Sequence, residues 1–189
     1  MKKVGIYGGS FDPIHHGHLI LAREAREALN LEKVIFVPAA ISPFKGRAAA
    51  ATGDMRLKML HAAIEGEEVF AIDDCELLRP PPSWTIDTVL EIRQRETDSE
   101  IYLLIGEDNV ATLDQWRRFD ELKQMVRFVV LDRTGSQTQR NYRTVRRKID
   151  ISATDIRKRV AHGQSIRYLV PPAVEEIIQR EKLYREQSK

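Results

Sequence analysis

Four short, nearly continuous apolar runs recur along the chain: "KKVGIY" at 2–7, "KVIFVPA" at 33–39, "EIYLLIG" at 100–106 and "VRFVVLDR" at 126–133. Runs of this length, bounded by turn residues, read as buried strands. "EVFAIDD" adds a third strand in chain order and "TVRRKIDI" a sixth. Between them lie stretches with helical spacing. "GHLILAREAREALN" repeats Leu19, Ile20, Ala22, Ala25 and Leu29 on one face. "DMRLKMLHAAIEG" follows with Asp54 placed to cap it, and "SWTIDTVLEIRQRE" with Ser83 or Thr85 as cap. "FDELKQM", Thr154–Gly163 and Pro171–Tyr184 complete the helices. The last of these opens on proline, which costs a first turn nothing. "ISPFKGRAAAATG" (Ile41–Gly53) lacks periodicity and reads as a mobile loop.

Strands alternating with helices predict an α/β fold, a doubly wound parallel sheet with right-handed crossovers. The chain has 189 residues, which suits one domain spanning 1–189, with 151–189 as a small C-terminal helical portion. Ligands of such sheets bind beyond the C-terminal ends of the strands. Gly8, Pro38, the loop Leu77–Trp84, Gly106 and Arg133 fall at those ends. No apolar run is long enough to cross a bilayer, and no apolar leader follows "MKK", so the expected location is cytoplasmic. The one cysteine, Cys75, makes neither an intramolecular disulfide nor a zinc site. A net charge of +2 is too mild to imply nucleic-acid binding, yet leaves room for a local cationic pocket.

The chemistry concentrates in "GGSFDPIHHGH", Gly8–His18, which holds three of the five histidines. A strand entering Gly8-Gly9 and then a helix outlines an anion site. Glycine admits the phosphate, and the helix N-terminus offers free N–H groups. The usual glycine fingerprints are missing, and histidines stand where a lysine is expected. His15 and His18 are three apart, hence on one helix face. Three readings stand: polar helix-start residues, a metal site that lacks its partner ligands, or a nucleoside triphosphate site in which the two histidines neutralise transition-state charge. His16 points elsewhere by helical geometry.

"ISATDIRKR" supplies a second anion site: Ser152, a capping Thr154 and Arg157 at another helix start. Taken alone, Arg157 is equally an exposed helix arginine. Lys45 adds a cation on a loop able to close over a triphosphate. Asp12 and Pro13 shape the turn. Asp108 suits either a ligand contact or a helix cap, and Trp116 either a core position or a stacking surface.

These motifs resemble the nucleotidyltransferase superfamily related to class I aminoacyl-tRNA synthetases. "GGSFDPIHHGH" is similar to its G-x-F-D-x-x-H-x-G-H signature, and "ISATDIR" to its ISSTxIR motif. Within it the chain resembles the bacterial nicotinate-nucleotide adenylyltransferases over nearly its whole length, through "MRLKMLHAAI", "SWTIDTV", "LLIGEDNVATLDQWRRFDEL" and "SIRYLVPPAVEEIIQREKLY". One departure stands out: the family's P-P-H-K reads Ser42-Pro43-Phe44-Lys45 here, so the lysine is kept and the histidine replaced. Trp84 also replaces a tyrosine.

The resemblance implies transfer of AMP from ATP to nicotinate mononucleotide, giving nicotinate adenine dinucleotide and pyrophosphate. His15, His18, Lys45 and Arg157 would be catalytic. Gly8, Gly9, Ser10, Phe11, Gly106, Asp108, Ser152 and Thr154 would bind ATP. Thr85 and Trp116 would hold the pyridine. Mg²⁺ would be carried by substrate phosphates rather than by protein ligands. A sister enzyme using nicotinamide mononucleotide or another phosphorylated acceptor such as phosphopantetheine, and a non-catalytic nucleotide sensor, are the alternatives. The oligomeric state stays open, a homo-oligomer included. Neither nucleic acid nor membrane is an expected partner.

Overall fold

The computed structural model describes residues 1–40, 49–135 and 142–185. Lys45 and Phe44 lie outside the described residues, as does most of the loop expected over Ile41–Gly53. A single six-stranded parallel sheet runs through the centre: β1 (Lys2–Gly9), β2 (Lys33–Pro38), β3 (Phe70–Ile72), β4 (Ser99–Gly106), β5 (Arg127–Asp132) and β6 (Arg143–Arg146). The strand order is β3-β2-β1-β4-β5-β6, so the chain winds outward from β1 in both directions. That is the doubly wound, Rossmann-like arrangement, with its switch point between β1 and β4.

The unbroken apolar runs now have their reason. Side chains alternate between the two faces of a strand, and both faces are covered. Tyr7, Phe36, Leu104 and Val129 enter one core, beneath α1 (His16–Leu29), α2 (Gly53–Ile64) and the C-terminal helices α6 (Ala153–Ala161) and α7 (Pro172–Arg180). Ile6, Val37, Leu103 and Val130 enter the other, beneath α3 (Cys75–Leu78), α4 (Thr85–Arg95) and α5 (Phe119–Met125). In register, Gly8 pairs with Val37, Gly9 with Pro38 and Gly106 with Leu131, which brings the glycine ends of β1 and β4 level with the ends of β2 and β5.

Element boundaries fall close to expectation, but three caps differ. Thr52, not Asp54, caps α2: its hydroxyl accepts from the Met55 N–H at 3.3 Å, and Asp54 sits in the first turn, where it favours the helix dipole. Ser152, not Thr154, caps α6, accepting from the Asp155 N–H at 3.1 Å. Neither Ser83 nor Thr85 caps α4. Trp84 holds that position without a side-chain bond, because Ser83 is turned inward and buried. The stretch Glu107–Gln115, left without an element from sequence, is a 3₁₀ helix following Gly106. Among the described residues no helix is long and apolar enough to cross a membrane.

Candidate active site

A cleft of about 930 Å³ opens at the C-terminal ends of the central strands. The turn after β1 forms its floor. Gly8 faces it: a Cβ built there meets nothing within 4 Å, so the position leaves room for a ligand rather than for packing. Gly9 has a different reason. A Cβ on it would lie 3.0 Å from the Phe11 ring, which wedges beneath the turn. Phe11 adopts φ 46°, a left-handed conformation that costs a bulky residue about 1 kcal/mol or more. Its ring is 1% exposed and packs edge-on against Tyr7 and His18. Phe11, expected among the ATP contacts, lines the cleft, and its buried ring supports the turn and His18.

His15 occupies the N-cap of α1 with extended backbone and makes no capping bond with its side chain. Its ring stacks on that of His18, centroids 3.7 Å apart and planes 24° from parallel. Both line the cleft; His16 does not. Gly17 makes the stack fit, since a Cβ there would come within 3.0 Å of His15 Cε1 and Nδ1. His15 is 2% exposed and its Nδ1 has no hydrogen-bond partner. Burial, reinforced by the positive charges of Arg133 and His16, pulls its pKa down to about 3. In the free protein burial therefore favours the neutral His15 ring at pH 7. A bound polyanion would oppose that shift by favouring the charged ring.

The second wall is the N-terminus of α6, where Ser152, Ala153, Thr154 and Arg157 face the cleft. Arg157 bridges the walls. Its Nη1 donates to the Asp12 carbonyl at 2.6 Å and its Nη2 to the Thr154 hydroxyl at 3.2 Å. The two motifs, some 140 residues apart, thus meet through a backbone carbonyl. Arg56, fully buried in α2, donates to the Ser10 carbonyl at 2.7 Å. Two arginines thus hold the turn by its backbone carbonyls.

Gly106 and Asp108 lie at the end of β4, also on the cleft. Asp108 is exposed, accepts from the Asn109 amide at 3.2 Å, and is not a cap; Gly106 is. A Cβ at Gly106 would meet the Asp108 carboxylate at 2.5 Å, so the glycine permits this tight start. At the far end stand Thr85, the first residue of α4, and Trp116. Trp116 is both things the sequence offered. It is half-buried against Phe128, ring centroids 6.4 Å apart, and still forms cleft wall.

Arg133, which the sequence already places at a strand's C-terminal end, is exposed there and carries charge toward His15. Sequence reasoning assigned no role to two further wall residues. Arg117 lies 5.4 Å from the centre of the Trp84 ring, a cation over an aromatic face. Glu76 is buried beside Ser83 and Thr88 and accepts the Thr88 hydroxyl at 2.7 Å. Arg79 in turn donates to Thr88 at 2.6 Å and to Glu91 at 3.0 Å. Nothing local in "CELL" marks Glu76 as a cleft residue.

A cleft lined by the stacked histidines, Arg133, Arg157 and the start of α6 as well as by Thr85 and Trp116, at the switch point of a parallel sheet, defines a nucleotide-binding enzyme that works on phosphoryl groups. The cytidylyltransferase-like family model matches residues 6–159. A Shouchella clausii chain named "Probable nicotinate-nucleotide adenylyltransferase" is 46% identical over 187 residues, covering 97% of each chain. One of the same name from Geobacillus thermodenitrificans is 41% identical, covering 97% of this chain and 87% of its own. The solved nicotinic acid mononucleotide adenylyltransferase of Plasmodium falciparum, complexed with NaAD, shares the fold with a TM-score of 0.80 at 17% identity, over 97% of this chain and 98% of that one. The chain belongs to the cytidylyltransferase-like family, among its nicotinate-nucleotide adenylyltransferases.

Proposed function

We propose that the protein transfers the adenylyl group of ATP to the 5′-phosphate of nicotinate mononucleotide, releasing pyrophosphate and forming nicotinate adenine dinucleotide, a step of NAD biosynthesis. One observation carries the reading: a single cleft joins the stacked His15–His18 pair and the α6 N-terminus at one end to Thr85 and Trp116 at the other. A phosphate end and a pyridine-sized aromatic end in one cavity suit two nucleotides joined head to head.

The chemistry asks little of the protein beyond placement and charge. A phosphate monoester is largely dianionic at neutral pH, so the acceptor oxygen attacks the α-phosphorus without a general base. A new P–O bond forms on one side as the bond to the β-phosphate oxygen breaks on the other. Pyrophosphate leaves with the electron pair. His15 and His18 donate to phosphoryl oxygens as charge moves toward the leaving group, and Arg157 and the Ser152 hydroxyl stabilise the same oxygens. Lys45 adds a cation in this reading. Gly8, Gly9, Ser10, Gly106 and Asp108 border the adenosine and its phosphates, while Thr85 and Trp116 orient the pyridine by hydrogen bonding and stacking. ATP would enter as its magnesium complex, with the substrate phosphates supplying most of the ion's ligands.

Pyrophosphate release with ATP and a panel of acceptors tests the proposal. Nicotinate mononucleotide is expected to give the highest kcat/KM, above nicotinamide mononucleotide and phosphopantetheine. A different best acceptor makes the protein a sister transferase; ATP binding without release from any acceptor makes it a sensor.

A further inference from the structure

We infer that Asp12 and Tyr184 are positioning residues for ATP: the phenol of the C-terminal segment holds the Asp12 carboxylate, and Asp12 holds the phosphate turn and Arg157. The inference rests on the cleft's phosphate end being the ATP site. Asp12 is 4% exposed, and its carboxylate accepts three hydrogen bonds, two on Oδ1 and one on Oδ2. The Tyr184 hydroxyl donates to its Oδ1 at 2.7 Å, across 172 residues of sequence. The Ala51 N–H donates to the same oxygen at 3.1 Å, and the Ala50 N–H to Oδ2 at 2.6 Å. Its backbone carbonyl takes the Arg157 guanidinium at 2.6 Å. One residue therefore ties together the turn after β1, the approach to α2, the start of α6 and the segment after α7.

A carboxylate with three donors is neither a base nor a ready metal ligand; it is a fixed post. What it fixes is the carbonyl that orients Arg157 and the turn that carries Gly8–Ser10. Tyr184 is held for the purpose. It lies at φ 62°, a left-handed conformation that a tyrosine keeps only when its surroundings over-determine it. Leu183 beside it packs on the core, and its N–H donates to the Ile178 carbonyl at 3.0 Å. Burial, together with the Asp12 carboxylate, holds the Tyr184 phenol protonated well beyond its ordinary range, so it remains a donor throughout the working pH range. Arg56, buried and bonded to the Ser10 carbonyl, adds a positive charge that interacts with Asp12.

Tyr184→Phe deletes the hydroxyl and keeps the ring. The expected result is an ATP KM raised about tenfold, the loss of one charge-assisted hydrogen bond passed on in part to the site. Saturated kcat should fall as well, through the loosened Arg157, while the acceptor KM stays within about twofold of wild type. Asp12→Asn, which keeps the size and weakens every bond to the post, should raise the ATP KM further in the same direction. ATP affinity measured by calorimetry without acceptor reads the same effect should no acceptor turn over, which separates failure of this inference from failure of the functional reading. A wild-type ATP KM and Kd in both variants overturns the inference. So does an equal fall in kcat with both substrates' KM unchanged, or a lowered melting temperature as the sole change.

Discussion

The imidazole of His15 lies stacked on that of His18, 3.7 Å between centroids, with Gly17 the only residue between them small enough to let the rings close. One ring is 2% exposed at the N-cap of α1 and the other sits on the cleft face of its first turn. Stacking two like groups is unfavourable if both are charged. Burial lowers the His15 pKa and so favours a neutral ring beside His18.

Loss of a single donor to developing phosphoryl charge typically costs on the order of a hundredfold in turnover. His18→Ala is expected to show that loss in kcat for pyrophosphate release. His16→Ala, whose side chain stays off the cleft wall, should retain kcat within about twofold. Equal effects from the two variants would remove the division of labour between neighbours.

Acid should weaken the fold through His15. Its pKa is about 3 folded against 6.5 for the ordinary group, so the folded state binds fewer protons than the unfolded chain below pH 6.5. A depressed pKa contributes stability that is present above the unfolded value and is lost as pH falls. Between pH 7.5 and pH 5 this single group should cost about 2 kcal/mol. Urea titrations at the two pH values read it as a difference: His15→Gln should lose that much less stability on acidification than wild type does.

Gly17→Ala should separate stability from activity. Alanine favours a helix over glycine by up to about 1 kcal/mol, so the melting temperature is expected to hold or rise. The added Cβ would press on His15 at 3.0 Å and on the Ile149 Cγ2 at 3.5 Å. Displacing the ring should lower kcat by about tenfold or more, the penalty of misplacing a catalytic group. A variant that is both folded and fully active would show that the stack tolerates rotation.

Glu76 should matter to the acceptor end. Burial pushes its carboxyl above the ordinary carboxylate range, against the pull of Thr88, Ser83 and the nearby arginines. A raised acid favours the folded state at low pH, and that contribution is lost as pH rises through the unfolded value. Glu76→Gln removes the titration, so its stability relative to wild type should increase from pH 4 to pH 8 in thermal melts. The same change weakens the hold on Thr88 and the turn before Thr85. The KM for the mononucleotide acceptor should rise about fivefold while that for ATP stays put. A wild-type acceptor KM would leave Glu76 with a structural role only.

Much of this was legible along the chain because it is local. A run such as "EIYLLIG" can be buried only as a two-sided strand, and "FDELKQM" is a helix over the same residues in the structure as in the sequence. Glycine and histidine at fixed spacing announce the phosphate turn, since few other jobs need those residue types together. The caps went astray by one or two positions: Thr52, Asp54, Ser152 and Thr154 are all competent acceptors, and only the direction of chain entry chooses among them.

The sequence by itself determined the layered α/β class, the two phosphate motifs and the pairing of His15 with His18, because each depends on periodicity or on residues within a few positions. Tertiary structure alone decided that His15 is neutral, since desolvation depends on what closes over it. It alone decided that Asp12 answers to Tyr184, 172 residues away, and that Glu76, Arg117 and Arg133 share one cleft with Trp116. Those relations arise where separate strands end side by side. No periodicity within one segment encodes which distant side chain will meet it there.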